Sequence, residues 1–136
     1  MDIKIIQKQG RNLVTVLQLI GKLDGSSYLD LVDEARKIFL SGVRDLLLDL
    51  SQLTYLSSAG ITALHKTALI FRGAAVPVEE SGWAAFHAID RDRDSGVQAH
   101  VKLFSPQPEV ENALDISGSK ALFEIHFDMD QAVASF

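Results

Sequence analysis

The sequence contains no cysteine, which excludes disulfide bonds, thiolate catalysis and zinc sites built from cysteine. It has no apolar run of roughly 18 residues, the length that a transmembrane helix needs, and no cluster of Lys and Arg. Its formal net charge of -5 disfavours direct nucleic-acid binding, which depends on a basic surface. Its N-terminal residues match no signal-peptide or lipidation motif. We therefore expect a cytoplasmic protein with no membrane and no nucleic acid among its partners.

The composition is that of a globular protein. Of its 136 residues, 47% are hydrophobic and 23% are charged, which predicts a single domain spanning 1–136. Strand-like and helix-like segments alternate, which predicts an α/β architecture with crossover connections. We expect strands at 3–7, 13–20, 46–50, 101–104 and 122–127, and helices at 28–39, 57–72, 108–116 and 129–136.

The residue pattern also predicts how the first two strands pair and how deeply the third strand is buried. The alternation at 3–7 is typical of a half-buried strand, and the turn residues at 9–12 predict a hairpin with the next strand. The nearly continuous apolar run at 46–50 indicates a central parallel strand that is buried on both faces. Residues 51–56 are interpreted as a loop.

The interval 73–99 interrupts this rhythm and is interpreted as an insertion in a surface loop. Trp83, Phe86 and Ile89 follow helical spacing, which favours packing against the domain and leaves a partner surface as the alternative. The charged segment that begins at Asp90, in which aspartates alternate with arginines, partly resembles a calcium loop. Ser95 and Val101 stand where an EF-hand needs Gly and Glu, so a solvated loop is preferred and no metal is expected.

The segment 46–61 reads LLLDLSQLTYLSSAGI, and Gly21-Lys22-Leu23-Asp24 stands upstream of it. These residues resemble the two sequence landmarks of the STAS family, and in particular its anti-sigma-factor antagonists. The resemblance implies a STAS-like α/β fold with a mixed four- to five-stranded sheet and about four flanking helices. The interval 73–99 is additional to the usual family pattern.

The resemblance also implies a function. Such an antagonist binds an anti-sigma factor that is also a serine kinase, so that a sigma factor is released. The kinase ends the complex by phosphorylating a motif serine, and a metal-dependent serine phosphatase reverses the modification. The phosphoacceptor maps to Ser58, with Ser57 as the fallback. This chain departs from the pattern at Ser57, where the family usually has an acidic residue, and at Ala59, where it often has a second hydroxyl.

The residue types at this motif fit such a switch. A serine at a strand-to-helix turn lies on the carboxyl edge of the sheet, where α/β proteins place their sites. Gly60 permits the close approach of another backbone, and Asp24 would add negative charge at the same edge. Tyr55 and Leu56 are expected to line the partner-binding surface together with Ser57 and Ser58.

Other interpretations remain open at this point. Ser57 or Ser58 could serve only as a helix cap, and the two roles are compatible if Ser57 caps while Ser58 is exposed. A STAS module without phosphorylation, acting as an interaction scaffold or a small-ligand sensor, is the alternative function. A serine hydrolase is disfavoured because Leu56 replaces the first Gly of Gly-x-Ser-x-Gly and His65 is poorly placed as a base. We therefore predict neither an enzyme nor a cofactor, and ATP would belong to the partner kinase.

Overall fold

The computed structural model describes residues 1–73 and 97–136. Within them, six strands form one mixed sheet and four α-helices pack around it. The strands are β1 (Asp2–Gln9), β2 (Leu13–Leu23), β3 (Leu46–Asp49), β4 (Leu53–Leu56), β5 (Val101–Phe104) and β6 (Ile125–His126). The helices are α1 (Tyr28–Leu40), α2 (Ser58–Phe71), α3 (Pro108–Ile116) and α4 (Met129–Ala134), with a 3-10 turn at Ser119–Ala121.

The sheet is ordered β1-β2-β3-β5-β6, and β4 lies beside the end of β2. The β1–β2 hairpin is antiparallel, whereas the other pairings are parallel. All four residues of β3 are buried between β2 and β5, as the apolar run predicted. The predicted α/β class, with a mixed sheet and about four helices, is confirmed.

Two hydrophobic cores lie on opposite faces of the sheet. The larger core joins the sheet to α1, α2 and α3, and includes Leu17, Leu31 and Leu64. The smaller core lies under α4, where Ala132 and Val133 pack against Val14, Val16 and Leu47. The helices α1 to α3 thus share one face, and α4 covers part of the other.

The strand β4 corrects the expectation of a loop at 51–56. Residues Leu53–Leu56 continue along β2 after a short turn in which the Leu53 N–H donates to the Leu50 carbonyl oxygen at 3.1 Å. The Gly21 N–H joins β2 to this turn by donating to the Gln52 carbonyl oxygen at 3.1 Å. This additional strand brings the sheet to six strands, more than the four to five expected.

Two further expectations are wrong in detail. Only Ile125–His126 is a strand in the interval 122–127, because the 3-10 turn after Gly118 places Leu122 in the core instead. The strand β1 is more exposed than a half-buried strand, since it is at the edge of the sheet. The exposed fractions of Ile5 and Ile6 are 52% and 41%.

A charged group holds α4 against β5. Lys102 is only 4% exposed, and its Nζ donates to the carbonyl oxygen and the Oγ of Ser135, both at 2.9 Å. The same Nζ lies 3.2 Å from Glu124 Oε2, and the other carboxylate oxygen is 2.6 Å from His126 Nε2. Partial burial alone would raise the pKa of Glu124, but hydrogen bonds from Lys102 and His126 together outweigh it and lower this pKa below its ordinary value.

None of the described helices is long and apolar enough to cross a membrane. The residues Trp83, Phe86 and Ile89, and the charged segment that begins at Asp90, lie outside the described residues, so the expectations for them stay predictions.

Candidate functional site

The strands β2 and β4 end side by side at one edge of the sheet. Leu23 is paired with Leu56, and the N–H of Ser57 donates to the Leu23 carbonyl oxygen at 3.0 Å. Asp24 directly follows β2, while Ser57 directly precedes α2. The structure therefore brings Asp24 to the same edge as the two serines, as the family resemblance implied.

Ser57 is the N-cap of α2. Its backbone is extended, with φ -88° and ψ 175°, and its Oγ accepts a hydrogen bond from the Gly60 N–H at 3.1 Å. Its carbonyl oxygen accepts the first hydrogen bond of the helix, from the Ile61 N–H at 2.9 Å. The hydroxyl oxygen of Ser57 is thus engaged in a local structural role, which serine commonly fills at this position.

Ser58 is the first residue of α2, and its side chain is exposed. No hydrogen bond joins its Oγ to the described residues, so the hydroxyl is available for a reaction. The first turn of α2 carries no acidic side chain. The positive end of the helix dipole and its unpaired N–H groups are therefore not neutralised by a carboxylate of that turn, and they favour an anion there.

Gly60 lies directly against the end of β2. A Cβ atom at this position would be 2.3 Å from the Leu23 carbonyl oxygen and 2.8 Å from Leu56 Cδ1. Real Cβ atoms essentially never approach so closely, so glycine permits the contact that fixes the start of α2 on β2. The position of Ser58 relative to the sheet depends on this contact.

Asp24 begins a hydrogen-bonded turn between β2 and α1. Its Oδ1 accepts hydrogen bonds from the Ser26 Oγ at 2.6 Å and from the Ser26 N–H at 2.9 Å. These two hydrogen bonds are the main causes that lower the pKa of Asp24 below its ordinary value. At neutral pH the edge that holds Ser58 therefore also holds a fixed negative charge.

The two apolar residues before the serines differ in exposure. Tyr55 is 48% exposed and is available to a partner at this edge. Leu56 is only 6% exposed and belongs to the main core, so the expectation that its side chain lines the contact surface is not met. The alternation of side chains along β4 places these neighbours on opposite sides of the strand.

Ser26 and Ser27 fit a cap of α1 by residue type, but the N-cap residue Ser27 makes no side-chain cap hydrogen bond. The sequence did not indicate the turn contacts that Ser26, Ser27 and Thr54 make instead. Ser27 Oγ donates to the Lys22 carbonyl oxygen at 2.8 Å and accepts from the Asp24 N–H at 3.0 Å, so it fixes the turn after β2. Thr54 Oγ1 donates to the Gly21 carbonyl oxygen at 3.0 Å across the β2–β4 pair. The Asp-x-Ser spacing of 24–26 is a known signal for such a turn, whereas the Thr54 bond depends on long-range pairing.

The only histidine in α2 is not a partner of Ser58. His65 is buried two helical turns further along the chain, and its Nε2 lies 3.0 Å from Ser119 Oγ. Within the described residues, no histidine nitrogen is hydrogen-bonded to Ser58 Oγ. In the part of the chain that the structure describes, no histidine is therefore placed beside the Ser58 hydroxyl.

A family model described as "Mlab, STAS domain" matches residues 6–89, which is more than half of the chain. The chain belongs to the STAS-domain family. Its serine-containing turn lies inside the matched range. No curated protein sequence matches this STAS domain.

Solved structures with the same fold cover almost the whole chain. An anti-sigma factor antagonist from Mycobacterium paratuberculosis is 15% identical with a TM-score of 0.66, covering 98% of this chain and 93% of that one. The anti-sigma factor antagonist SpoIIAA in its unphosphorylated form is 12% identical with a TM-score of 0.53, covering 96% of this chain and 92% of that one. The Bacillus cell fate determinant SpoIIAA in the phosphorylated form is 13% identical with a TM-score of 0.53, covering 96% of this chain and 96% of that one. At these identities the likeness establishes the fold alone.

Proposed function

We propose that this STAS domain is an anti-sigma-factor antagonist whose binding is switched off by phosphorylation of Ser58. In its unmodified form it binds an anti-sigma factor that is also a serine kinase, and the sigma factor is released. The kinase then transfers the γ-phosphoryl group of ATP to Ser58, and a metal-dependent serine phosphatase removes it. The domain itself supplies the acceptor and the contact surface, and it performs no catalysis.

One observation carries the choice of Ser58. The two adjacent serines differ in what their hydroxyl groups do: Ser57 Oγ caps α2, whereas Ser58 Oγ is exposed and free of hydrogen bonds to the described residues. Modification of Ser57 would remove the cap, but modification of Ser58 breaks no bond of the fold. The existence of a structural neighbour in a phosphorylated form supports a switch of this kind.

The proposed switch acts through charge and leaves the fold unchanged. A phosphoserine carries about -1.5 to -2 charges at neutral pH. The N-terminus of α2 tolerates this charge within the domain, because its free N–H groups and its dipole favour an anion. A partner packed against the same turn would have to desolvate the phosphate at the sheet edge that also holds the ionised Asp24. Since each 1.4 kcal/mol weakens binding about tenfold, a penalty of a few kcal/mol releases the partner.

The contact surface is the edge around the α2 N-terminus. Tyr55 supplies exposed aromatic area, and Asp24 supplies a negative charge that attracts a basic partner surface. Gly60 contributes indirectly, because its contact with Leu23 sets the position of the serines. We expect Tyr55 and Asp24 to contribute to affinity, while Ser58 controls whether the complex persists.

Phosphate transfer tests the assignment. An anti-sigma factor with serine-kinase activity would be incubated with ATP and each variant, followed by intact-mass analysis and fragment mapping. We expect Ser58→Ala to abolish the added phosphoryl group, and Ser57→Ala and Ser26→Ala, which alter neighbouring serines, to retain it. Equal labelling of Ser58→Ala and the parent would overturn the assignment.

Partner binding separates the proposal from its alternative. The usual acidic residue before the acceptor is replaced by Ser57, which favours a STAS interaction or small-ligand-sensing module without phosphorylation as the second candidate. Under our proposal Ser58→Asp abolishes binding to the anti-sigma factor in calorimetry, and Ser26→Asp has a much smaller effect. Unchanged affinity of Ser58→Asp would support the second candidate.

A further inference from the structure

The outer edge of β1 is a surface that the proposed switch does not use. The N–H of Thr15 donates to the Asp45 carbonyl oxygen and that of Gly21 to the Gln52 carbonyl oxygen, so the odd-numbered residues of β2 face β3 and β4. Its even-numbered residues face β1, where they pair with Asp2, Lys4, Ile6 and Lys8. The backbone N–H and C=O groups of Ile3, Ile5 and Gln7 therefore point away from the sheet.

These outward groups have no hydrogen-bond partner within the described residues. The strand is eight residues long, and the side chains of Ile5 and Ile6 are largely exposed on its two faces. A long edge with free backbone groups and apolar side chains is a template for pairing with another strand. Natural edge strands often carry lysines that oppose such pairing, so the arrangement of charges decides what can dock.

The charges of β1 are complementary to those of a second copy of β1 in one register. An antiparallel pair with its two-fold axis at Ile5 places Asp2 opposite Lys8 of the second copy, and this ion pair occurs twice. The same register places Ile5 opposite Ile5 and Lys4 opposite Ile6. A two-fold axis at Ile6 would instead place Lys4 opposite Lys8, where like charges repel.

The hydrogen-bonding pattern fits the same register. With the axis at Ile5, the outward groups of Ile5 face those of Ile5 in the second copy, and Ile3 faces Gln7. Each such pair exchanges two N–H···O=C hydrogen bonds. An axis placed between two residues would set an outward-facing residue opposite an inward-facing one, so this ladder could not form.

We propose that two copies of this STAS domain associate through β1 in this register and form one continuous twelve-stranded sheet. The two-fold axis is perpendicular to the sheet, so the carboxyl edges of the two copies point in opposite directions. Ser58 of each copy is then free at opposite ends of the dimer, and a dimer can hold two partner molecules. The proposal does not depend on phosphorylation of Ser58.

The first test is the mass in solution of the full chain. Sedimentation equilibrium from low micromolar to high concentration should show conversion from 14.9 kDa to twice this mass. Ile5→Pro removes an outward N–H, which an edge strand tolerates, and should abolish the dimer while the circular dichroism spectrum is retained. A parent that stays monomeric throughout, or a folded Ile5→Pro variant that stays dimeric, would overturn the proposal.

Charge exchange at exposed positions gives a test that does not depend on proline. Asp2→Lys and Lys8→Asp should each weaken dimerisation about tenfold, because each turns two cross-strand attractions into repulsions. The double variant Asp2→Lys/Lys8→Asp should restore the parental affinity. Failure of the double variant to recover would contradict the register.

Cysteine pairing then tests the register directly, since the chain has no cysteine of its own. Lys4 and Ile6 of the second copy form a non-hydrogen-bonded pair, in which the Cα atoms are about 4.5 Å apart and within reach of a disulfide. A mixture of Lys4→Cys and Ile6→Cys should form a disulfide-linked dimer under mild oxidation, and either variant alone should form far less. Equal cross-linking of the single variants and the mixture would refute the proposed pairing.

Discussion

Substitution of Gly60 by alanine tests whether the contact between α2 and β2 supports the site. The added Cβ would be 2.3 Å from the Leu23 carbonyl oxygen and 3.0 Å from its carbonyl carbon, both of them backbone atoms that cannot rotate away. Forcing extra atoms into a packed site costs about 1–3 kcal/mol. The shift also weakens the hydrogen bond from Ser57 N–H to Leu23, which contributes about 1 kcal/mol.

The opposing effect is helix propensity, because alanine is favoured over glycine in a helix by about 1 kcal/mol. The net expectation is that Gly60→Ala lowers the free energy of unfolding by about 1–3 kcal/mol. With a urea m-value of about 2 kcal/mol/M, the unfolding midpoint would fall by about 1 M. The matched control is Gly25→Ala, since a Cβ on Gly25 meets nothing within 4 Å, and its stability should change by about 0.5 kcal/mol or less.

Urea unfolding monitored by circular dichroism measures the unfolding midpoints of Gly60→Ala and Gly25→Ala. A midpoint for Gly60→Ala equal to or above that of the parent would refute the reasoning, because propensity would then outweigh the clash. Partner binding should fall along with stability in Gly60→Ala and remain unchanged in Gly25→Ala, since only the former displaces the serines.

Three further predictions concern stability and its dependence on pH. Ser57→Ala should cost about 1 kcal/mol in urea unfolding through loss of the cap, and Ser58→Ala about 0.5 kcal/mol or less; equal costs would contradict the assigned cap. Leu56→Ala should cost about 2–5 kcal/mol, whereas Tyr55→Ala should mainly weaken partner binding in calorimetry; a stability loss for Tyr55→Ala as large as that for Leu56→Ala would contradict their placement. The pKa of Glu124 is lowered in the folded state, so its contribution to stability is present above its ordinary value of 4.5 and is lost as the pH falls through the folded-state value. Thermal unfolding between pH 6 and 3 should show a smaller loss in Glu124→Gln than in the parent, and an identical loss would refute this linkage.

The sequence predicted well those features that depend on neighbouring residues. The sequence indicated a serine cap at Ser57 or Ser58 and a close backbone approach at Gly60, because both features depend on a few residues around one turn. The structure selects Ser57 as the cap and leaves Ser58 exposed. The α/β class likewise followed from the alternation of strand-like and helix-like segments. These inferences needed no knowledge of which strand pairs with which.

The errors arose where long-range contacts decided the outcome. Leu53–Leu56 is a strand because β2 extends far enough to pair with it, and no local pattern reports the length of that partner. The same pairing buries Leu56, which had been expected on the surface. The interval 122–127 has apolar residues suited to a strand, but Leu122 reaches the core through the 3-10 turn after Gly118.

The helix α2 places the serine turn at one edge of the sheet and Gly73 at the other. The helix begins at Ser58 on the carboxyl edge of the sheet and runs to the opposite edge, where Gly73 follows it and where Val97 precedes β5. Both positions therefore lie a full helix length away from Ser58. A reporter domain inserted between these two positions would therefore be attached to the sheet at the edge opposite Ser58.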